Sequence, residues 1–420
     1  MSKKYLTFLG ANEYRNCTYA FHGKLTPSRF VQVALTDSLC RHWKKTDQIL
    51  VFLTEEACQD NWEDSKKWKY TGLKKELSAL QLPCTVNSIP IPKGKDEEAL
   101  WKIFEIIRDH LRQEDEIIFD ITSGFRTLPM LALIILNYAR VVKKCTVAGI
   151  YYGAFDARQD DGNVPIFDLS RFVSVQDWAI GIDRFLNTGD ASAIVDSTNQ
   201  EIDRIRQDSR GQAENHAQNL RAISDATRAF SRNAATCREK ALPHDILAIQ
   251  QCLDEAIQSS EFLAKPLTPL LEHLQERFQI FSQEPHHQTA NMFEVVQWCL
   301  DHNLIQQGLT LLQEIVVTDL CRKLGLDTGD YNDRSVIPRA IGAIAQESPL
   351  PGFEYTEGEY LRLDDVRKCL PTPSNDFVNA FQKLRKARNN INHASSSKSA
   401  KHFHKVLKKT LRELRKALCC

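Results

Sequence analysis

The chain has 420 residues, 42% of them hydrophobic and 26% charged, which is enough apolar material for two or three cores and excludes a disordered protein. Its 54 Lys and Arg residues balance 54 Asp and Glu, so no global field draws it toward a polyanion. Residues 1–25 lack a charged-then-apolar leader, and the longest apolar stretch, near Leu131 to Leu136, is too short to cross a bilayer. A cytoplasmic protein with no membrane partner is therefore expected. The twelve cysteines are scattered and none stands in C-x-x-C spacing, so they read as reduced, mostly buried thiols, with no metal site.

Over residues 1–175, short β-rich runs at 4–9, 48–53, 85–91, 116–121 and 146–152 alternate with amphipathic helical stretches near 30–42, 67–82, 97–111 and 128–140. This is the pattern of a doubly wound, Rossmann-like α/β domain. A run at 164–169, preceded by the turn-forming Asp160-Asp161-Gly162-Asn163, is expected to add an edge strand through a hairpin. Beyond Val175 the strand signals stop. Residues 176–290 read as an all-α connector, with Gly189, Asp190, Pro243, Pro266 and Pro269 marking helix ends. A second all-α block, taken as a domain over 291–420, opens with Phe293 to Trp298 and continues through Leu309 to Leu320. From Lys383 onward it carries twelve Lys or Arg against the single acid Glu413. A solvated helix face explains any one such run; a polyanionic partner is the alternative.

In an open α/β sheet, ligands bind beyond the carboxyl ends of the strands. Two such loops carry candidate residues. The first strand leads into Gly10, Ala11 and Asn12, where glycine permits close backbone approach and Asn12 offers both a donor and an acceptor. The fourth leads into Thr122, Ser123, Gly124, Phe125 and Arg126, with Pro129 in the first helical turn that follows. Small hydroxyl residues and a glycine leave the N–H groups of a helix start open to an anion, Arg126 adds a charge and Phe125 a stacking face. A dinucleotide fingerprint is absent, since the stretch 10–15 lacks the second and third glycines of G-x-G-x-x-G.

The stretch from Phe8 to Tyr14, together with Asp120-Ile121-Thr122-Ser123-Gly124-Phe125-Arg126-Thr127-Leu128-Pro129-Met130-Leu131, resembles the CRISPR-associated Rossmann fold (CARF) over about residues 1–175. The resemblance is to the type III CRISPR ancillary ribonucleases of the Csx and Csm type, which join this sensor to a HEPN nuclease. It implies a homodimer or higher oligomer, and a cyclic oligoadenylate activator, with cyclic tetra-adenylate the expected ring, lying on the two loops across the two-fold axis. Ala11 stands where the family carries a glycine or small polar residue.

The HEPN mark is an arginine followed after four to six residues by a histidine. With twelve histidines, about two such pairs are expected by chance, and the chain holds four: Arg15 with His22, Arg210 with His216, Arg238 with His244, and Arg388 with His393. Only the last lies in the basic terminal block, and, as in the family, a polar residue, Asn389, follows its arginine. Asn389, Asn390 and Asn392 weaken a helix there, so His393 is expected on a turn. The segment 306–322 resembles the first long HEPN helix. Single-stranded RNA brings its own nucleophile, the 2′-hydroxyl, so a histidine and an arginine suffice without metal or cofactor. The expected catalytic set is His393 for proton transfer or orientation of the 2′-hydroxyl, Arg388 for transition-state charge and Asn389 for positioning. Products would carry a 2′,3′-cyclic phosphate and a 5′-hydroxyl. The competing reading is a non-catalytic sensor that binds nucleic acid through its basic end. Slow cleavage of the cyclic ligand at the sensor site is left open by the residues.

Overall fold

The computed structural model describes residues 2–123, 128–209, 214–258, 267–282, 288–356, 359–372, 374–393 and 398–419. Gly124, Phe125, Arg126 and Arg210 fall outside them. The chain divides into two compact units, one up to Val173 and one from Ser174.

The first unit runs β1 (Lys3–Leu9), β2 (Cys17–Phe21), β3 (Lys24–Ser28), α1 (Val31–Leu39), β4 (Gln48–Leu53) and α2 (Glu55–Ala57), then a π-helical turn at Cys58–Trp62. It continues with α3 (Leu73–Ala79), β5 (Thr85–Pro90), α4 (Glu97–His110), β6 (Glu116–Asp120), α5 (Leu128–Lys143), β7 (Thr146–Gly153) and β8 (Asn163–Asp168). The sheet has eight strands in the order β3-β2-β8-β7-β6-β1-β4-β5. Within it, β5, β4, β1, β6 and β7 are mutually parallel. The inner strand β4 buries both faces, which is why Gln48–Leu53 is almost wholly apolar rather than alternating. Tyr5, Leu9, Ile49, Val51 and Leu53 pack with α1 and α3 on one face. Leu6, Phe8, Leu50 and Phe52 pack with α4 and α5 on the other. Helix α4 begins where the Asp96 carboxylate accepts the Ala99 N–H at 2.8 Å, and it places Glu97 and Glu98 in its first turn and Arg108 and His110 in its last.

Two sequence expectations for this unit are corrected, and one element was not foreseen. The hairpin β2–β3 was not expected; its turn, His22-Gly23, has φ of 47° and 77°, a conformation that an Asn-Gly pair would have announced. Because β2 pairs with β8, the strand expected at the sheet edge is an interior one. The helix expected over 67–82 shrinks to Leu73–Ala79.

The second unit contains α6 (Ser170–Thr188), which begins in the first, then α7 (Ser192–Ser209), α8 (Glu214–Ala235), α9 (Leu242–Gln258), α10 (Thr268–Phe278), α11 (Gln288–Asp301), α12 (Ile305–Leu324) and α13 (Tyr331–Ala345). After these come β9 (Gly352–Thr356), β10 (Glu359–Arg362), α14 (Leu363–Cys369), α15 (Ser374–Asn392) and α16 (Ala400–Cys419). The antiparallel pair β9–β10 corrects the all-α expectation. Helices from 176–290 and 291–420 contribute to one core that extends from Trp178 to Leu414 and is centred on Phe185, Phe230, Phe278 and Trp298. Around its C-terminal end α11 packs on α12 and α16, α12 on α15, and α15 on α16. A Cβ on Gly308 would meet Leu407 at 2.6 Å, so glycine lets α12 and α16 approach closely.

Among the described residues no helix is long and apolar enough to cross a membrane, and no cluster of three metal-ligating side chains occurs.

Candidate functional sites

In the parallel part of the sheet the chain steps from β1 outward to β4 and β5, then returns to β6 and β7 on the other side, so the order reverses between β1 and β6. That reversal opens a crevice at the carboxyl ends of the strands. It holds a cleft of about 420 Å³ lined by Gly10, Ala11, Asn12, Tyr14, Thr122 and Ser123, with Thr54 and Ile91 beyond them and the Lys93–Glu56 ion pair (2.7 Å) at its rim. The fold thus brings together the described members of the two loops picked from sequence, which lie more than a hundred residues apart.

Most of their polar groups already have partners. The Gly10 N–H donates to Tyr14 Oη at 2.9 Å, and the Tyr14 hydroxyl donates to Ser123 Oγ at 3.1 Å, bridging the loops. Burial pushes the Tyr14 hydroxyl pKa up, against the lowering effect of Ser123 and Gly10. Thr122 turns inward: its Oγ1 accepts the Gly153 N–H at 2.7 Å, and its own N–H donates to Asp120 Oδ1 at 2.9 Å. Asp120, wholly buried, also accepts from Thr7 (2.7 Å) and Tyr5 (3.2 Å) through Oδ2. Burial raises its carboxyl pKa, and these donors oppose the rise. The Asn12 side chain is exposed.

Sequence reasoning missed the brace behind the first loop. Asn61, on the π-helical turn and 0% exposed, donates through Nδ2 to Gly10 O (2.8 Å) and Asn12 O (2.9 Å), while its Oδ1 accepts from the Tyr70 hydroxyl at 2.5 Å. Tyr70 Oη in turn accepts the Tyr14 N–H at 3.3 Å, and Arg29 donates to Tyr14 O at 3.1 Å while lying 4.4 Å over the Tyr70 ring. A Cβ on Gly72 would fall 2.2 Å from Glu63 O, so only glycine lets the chain close the loop that carries Tyr70. A lone asparagine in a polar stretch gives no periodic signal; its role exists only after folding.

In the second unit, α15 runs unbroken through Asn389, Asn390 and Asn392, contrary to the expected weakening, and His393 stands exposed on the turn directly after it. The His393 N–H donates to Asn389 O at 3.0 Å. Arg388 Nη1 donates to Asn389 Oδ1 at 3.3 Å, and the Arg388 Nε is buried without a hydrogen-bond partner among the described residues. The remaining arginine–histidine pairs lie elsewhere: Arg15 and His22 are exposed in the sheet unit, where His22 stacks on Phe21, and Arg238 and His244 are exposed about the start of α9. Helix α16 buries Phe403, Leu407, Leu411 and Leu414 and turns Lys401, Lys405, Lys408 and Lys409 outward. Its basic face is therefore the solvated side of an amphipathic helix, partly offset by the Lys409–Glu413 and Arg415–Glu294 pairs.

Residues 4–156 match the family model described as the CARF domain of the CRISPR system endoribonuclease Csx1. A curated relative, CRISPR-associated protein MJ1674 of Methanocaldococcus jannaschii, is 23% identical over 320 residues, which cover 75% of this chain and 43% of the relative. The match thus spans less than half the length of that relative. The N-terminal unit is thus similar to the CARF domain of Csx1, and its sheet order, with the cleft at the reversal, fits that likeness.

Proposed function

We propose that the chain is a sensor-controlled ribonuclease of type III CRISPR defence, activated by a cyclic oligoadenylate on its CARF unit and cleaving single-stranded RNA with its helical, HEPN-type unit. The observation that carries this reading is the cleft at the β1–β6 reversal, in a domain that matches the Csx1 CARF family. Asn12, the Ser123 hydroxyl and the segment at Gly124, Phe125 and Arg126 would contact the ligand, with cyclic tetra-adenylate the expected ring. Gly10, Ala11 and Thr122 would shape the floor. A homodimer is favoured by the apolar outer face of α5, where Met130 is 71% and Val141 79% exposed, with Leu133 and Ile134 between them and Trp101 of α4 exposed nearby.

At the second site the 2′-oxygen of RNA would bond to phosphorus as the bond to the 5′-oxygen breaks. The 2′-hydroxyl proton passes to His393, and the departing 5′-oxygen takes up a proton, leaving a 2′,3′-cyclic phosphate and a 5′-hydroxyl. Arg388 stabilises charge on the phosphorane, and Asn389, bonded to its guanidinium, holds it in place. Two copies facing across a dimer would complete the site. The test is RNA cleavage by the full chain with and without each cyclic oligoadenylate. Cleavage that rises only with one ring size supports the reading. Ring binding without any cleavage favours the non-catalytic sensor.

A further inference from the structure

We propose that the groove beside His393, bounded by the start of α12, the last turn of α15 and the start of α16, is a binding site for an unpaired nucleobase of the RNA, with Gln306 reading the base edge. This rests on the ribonuclease reading above. The groove has a volume of about 490 Å³, within the range of small-ligand sites. Its floor is apolar, made by the half-buried Ile305 and Ile391 and the buried ring of Phe403. Its rim is polar, with the side-chain amides of Asn303, Gln306 and Gln307 and the cationic Lys401. An unpaired base needs this combination: apolar surface for its face and paired donors and acceptors for its Watson–Crick edge.

Gln306 is held for the task. Its Nε2 donates to Asn392 Oδ1 at 3.1 Å, which ties the amide to the residue preceding His393. One N–H and the carbonyl oxygen stay available, a donor and an acceptor side by side. The same bond ties the groove to the helix end that carries His393, where a nucleotide flanking the cut would lie. The charge beside the groove also fits RNA. Lys401, Lys405 and Lys408 are exposed on α16 without a carboxylate partner among the described residues, whereas Lys409 is paired with Glu413. A neutral small molecule would draw nothing from that row, but phosphates on either side of a bound base would.

The test compares wild type with Gln306→Leu, an exposed position where substitution leaves the core untouched. One arm sequences the cut sites in a pool of randomised RNAs under saturating cyclic oligoadenylate. The other measures binding of four 2′-deoxy homo-oligonucleotides, which lack the attacking hydroxyl, by fluorescence anisotropy. Wild type should prefer one base at both readouts by about tenfold, the discrimination of a good amide–base pair, and Gln306→Leu should flatten both preferences. Cleavage with no base preference, or a preference unchanged in Gln306→Leu, overturns the groove assignment while the nuclease reading stands. Base-ranked binding that Gln306→Leu flattens, in a protein that cuts no RNA, sinks the nuclease reading and keeps the groove as an RNA-binding site. Neither cutting nor ranking overturns both.

Discussion

Replacing Asn61 by leucine should weaken activator binding more than it weakens the fold. The side chain is fully buried and supplies the donors for two carbonyls, Gly10 O and Asn12 O, and the acceptor for Tyr70. A polar group shut off from water and stripped of its partner costs about 1–3 kcal/mol, so the two carbonyls and the Tyr70 hydroxyl set a ceiling of about 3–9 kcal/mol if the loop stays in place and keeps water out. The loop at 10–16 lies at a strand end and can relax toward water, which recovers part of that cost and gives up the conformation the cleft needs. If about 1.4–2.8 kcal/mol of the loss appears as loop disorder that a ligand must reverse, the Kd for cyclic tetra-adenylate rises about 10- to 100-fold. Calorimetric titration measures the affinity and a urea unfolding curve the stability. RNA cleavage at saturating activator should stay near wild type, because the second site is untouched. An Asn61→Leu protein that binds the ring within about twofold of wild type would refute the reasoning.

Further outcomes follow from the same geometry. His393→Ala or Arg388→Ala should abolish RNA cleavage and leave ring binding intact, and cleavage by the wild type should survive EDTA; metal dependence would remove the 2′-hydroxyl mechanism. Changing Lys405, Lys408 and Lys409 together to Ala should weaken RNA affinity and flatten its salt dependence, whereas an unchanged salt slope would return α16 to a merely solvated face. Burial raises the Asp120 carboxyl, so the folded state keeps that proton where the unfolded chain releases it, and stability falls as pH climbs from about 4 through the folded value. Urea midpoints should therefore shift in favour of Asp120→Asn, relative to wild type, over that rise; a pH-independent difference would show that Asp120 is charged throughout. Val141→Glu on the outer face of α5 should shift the protein toward monomer in sedimentation, and an unmoved sedimentation coefficient would place the dimer contact elsewhere.

The inner parallel strands β4 and β6 were legible because a strand buried on both faces must be apolar throughout, and Gln48–Leu53 and Glu116–Asp120 satisfy that with little ambiguity. The hairpin β2–β3 was not, because Pro27 lies within β3 and the turn is His-Gly, so the usual turn chemistry is missing. The single core of the second unit was illegible for another reason. Helix periodicity states which face of a helix is apolar but not which other helix covers it, so Phe185, Phe230, Phe278 and Trp298, spread over more than a hundred residues, give no sign that they meet.

The two loops at the cleft show the same limit at finer scale. Sequence placed glycine and hydroxyl residues where an anion could be held, and the fold brings the two loops together. It also assigns much of their hydrogen bonding to the protein itself: Gly10 N–H to Tyr14, Thr122 Oγ1 to Gly153, and Ser123 Oγ as acceptor to Tyr14. A hydroxyl that accepts from Tyr14 still has its own proton to give, so Ser123 can donate to a phosphate without breaking the bridge. Gly10 cannot; its single N–H is taken, and a ligand reaching it must first displace the Tyr14 hydroxyl. On the proposed reading, recognition would therefore fall on Asn12, whose side chain is exposed, and on Ser123. Tyr14 is bonded to both loops, so a ligand that displaced its hydroxyl from Gly10 would also disturb its bond to Ser123.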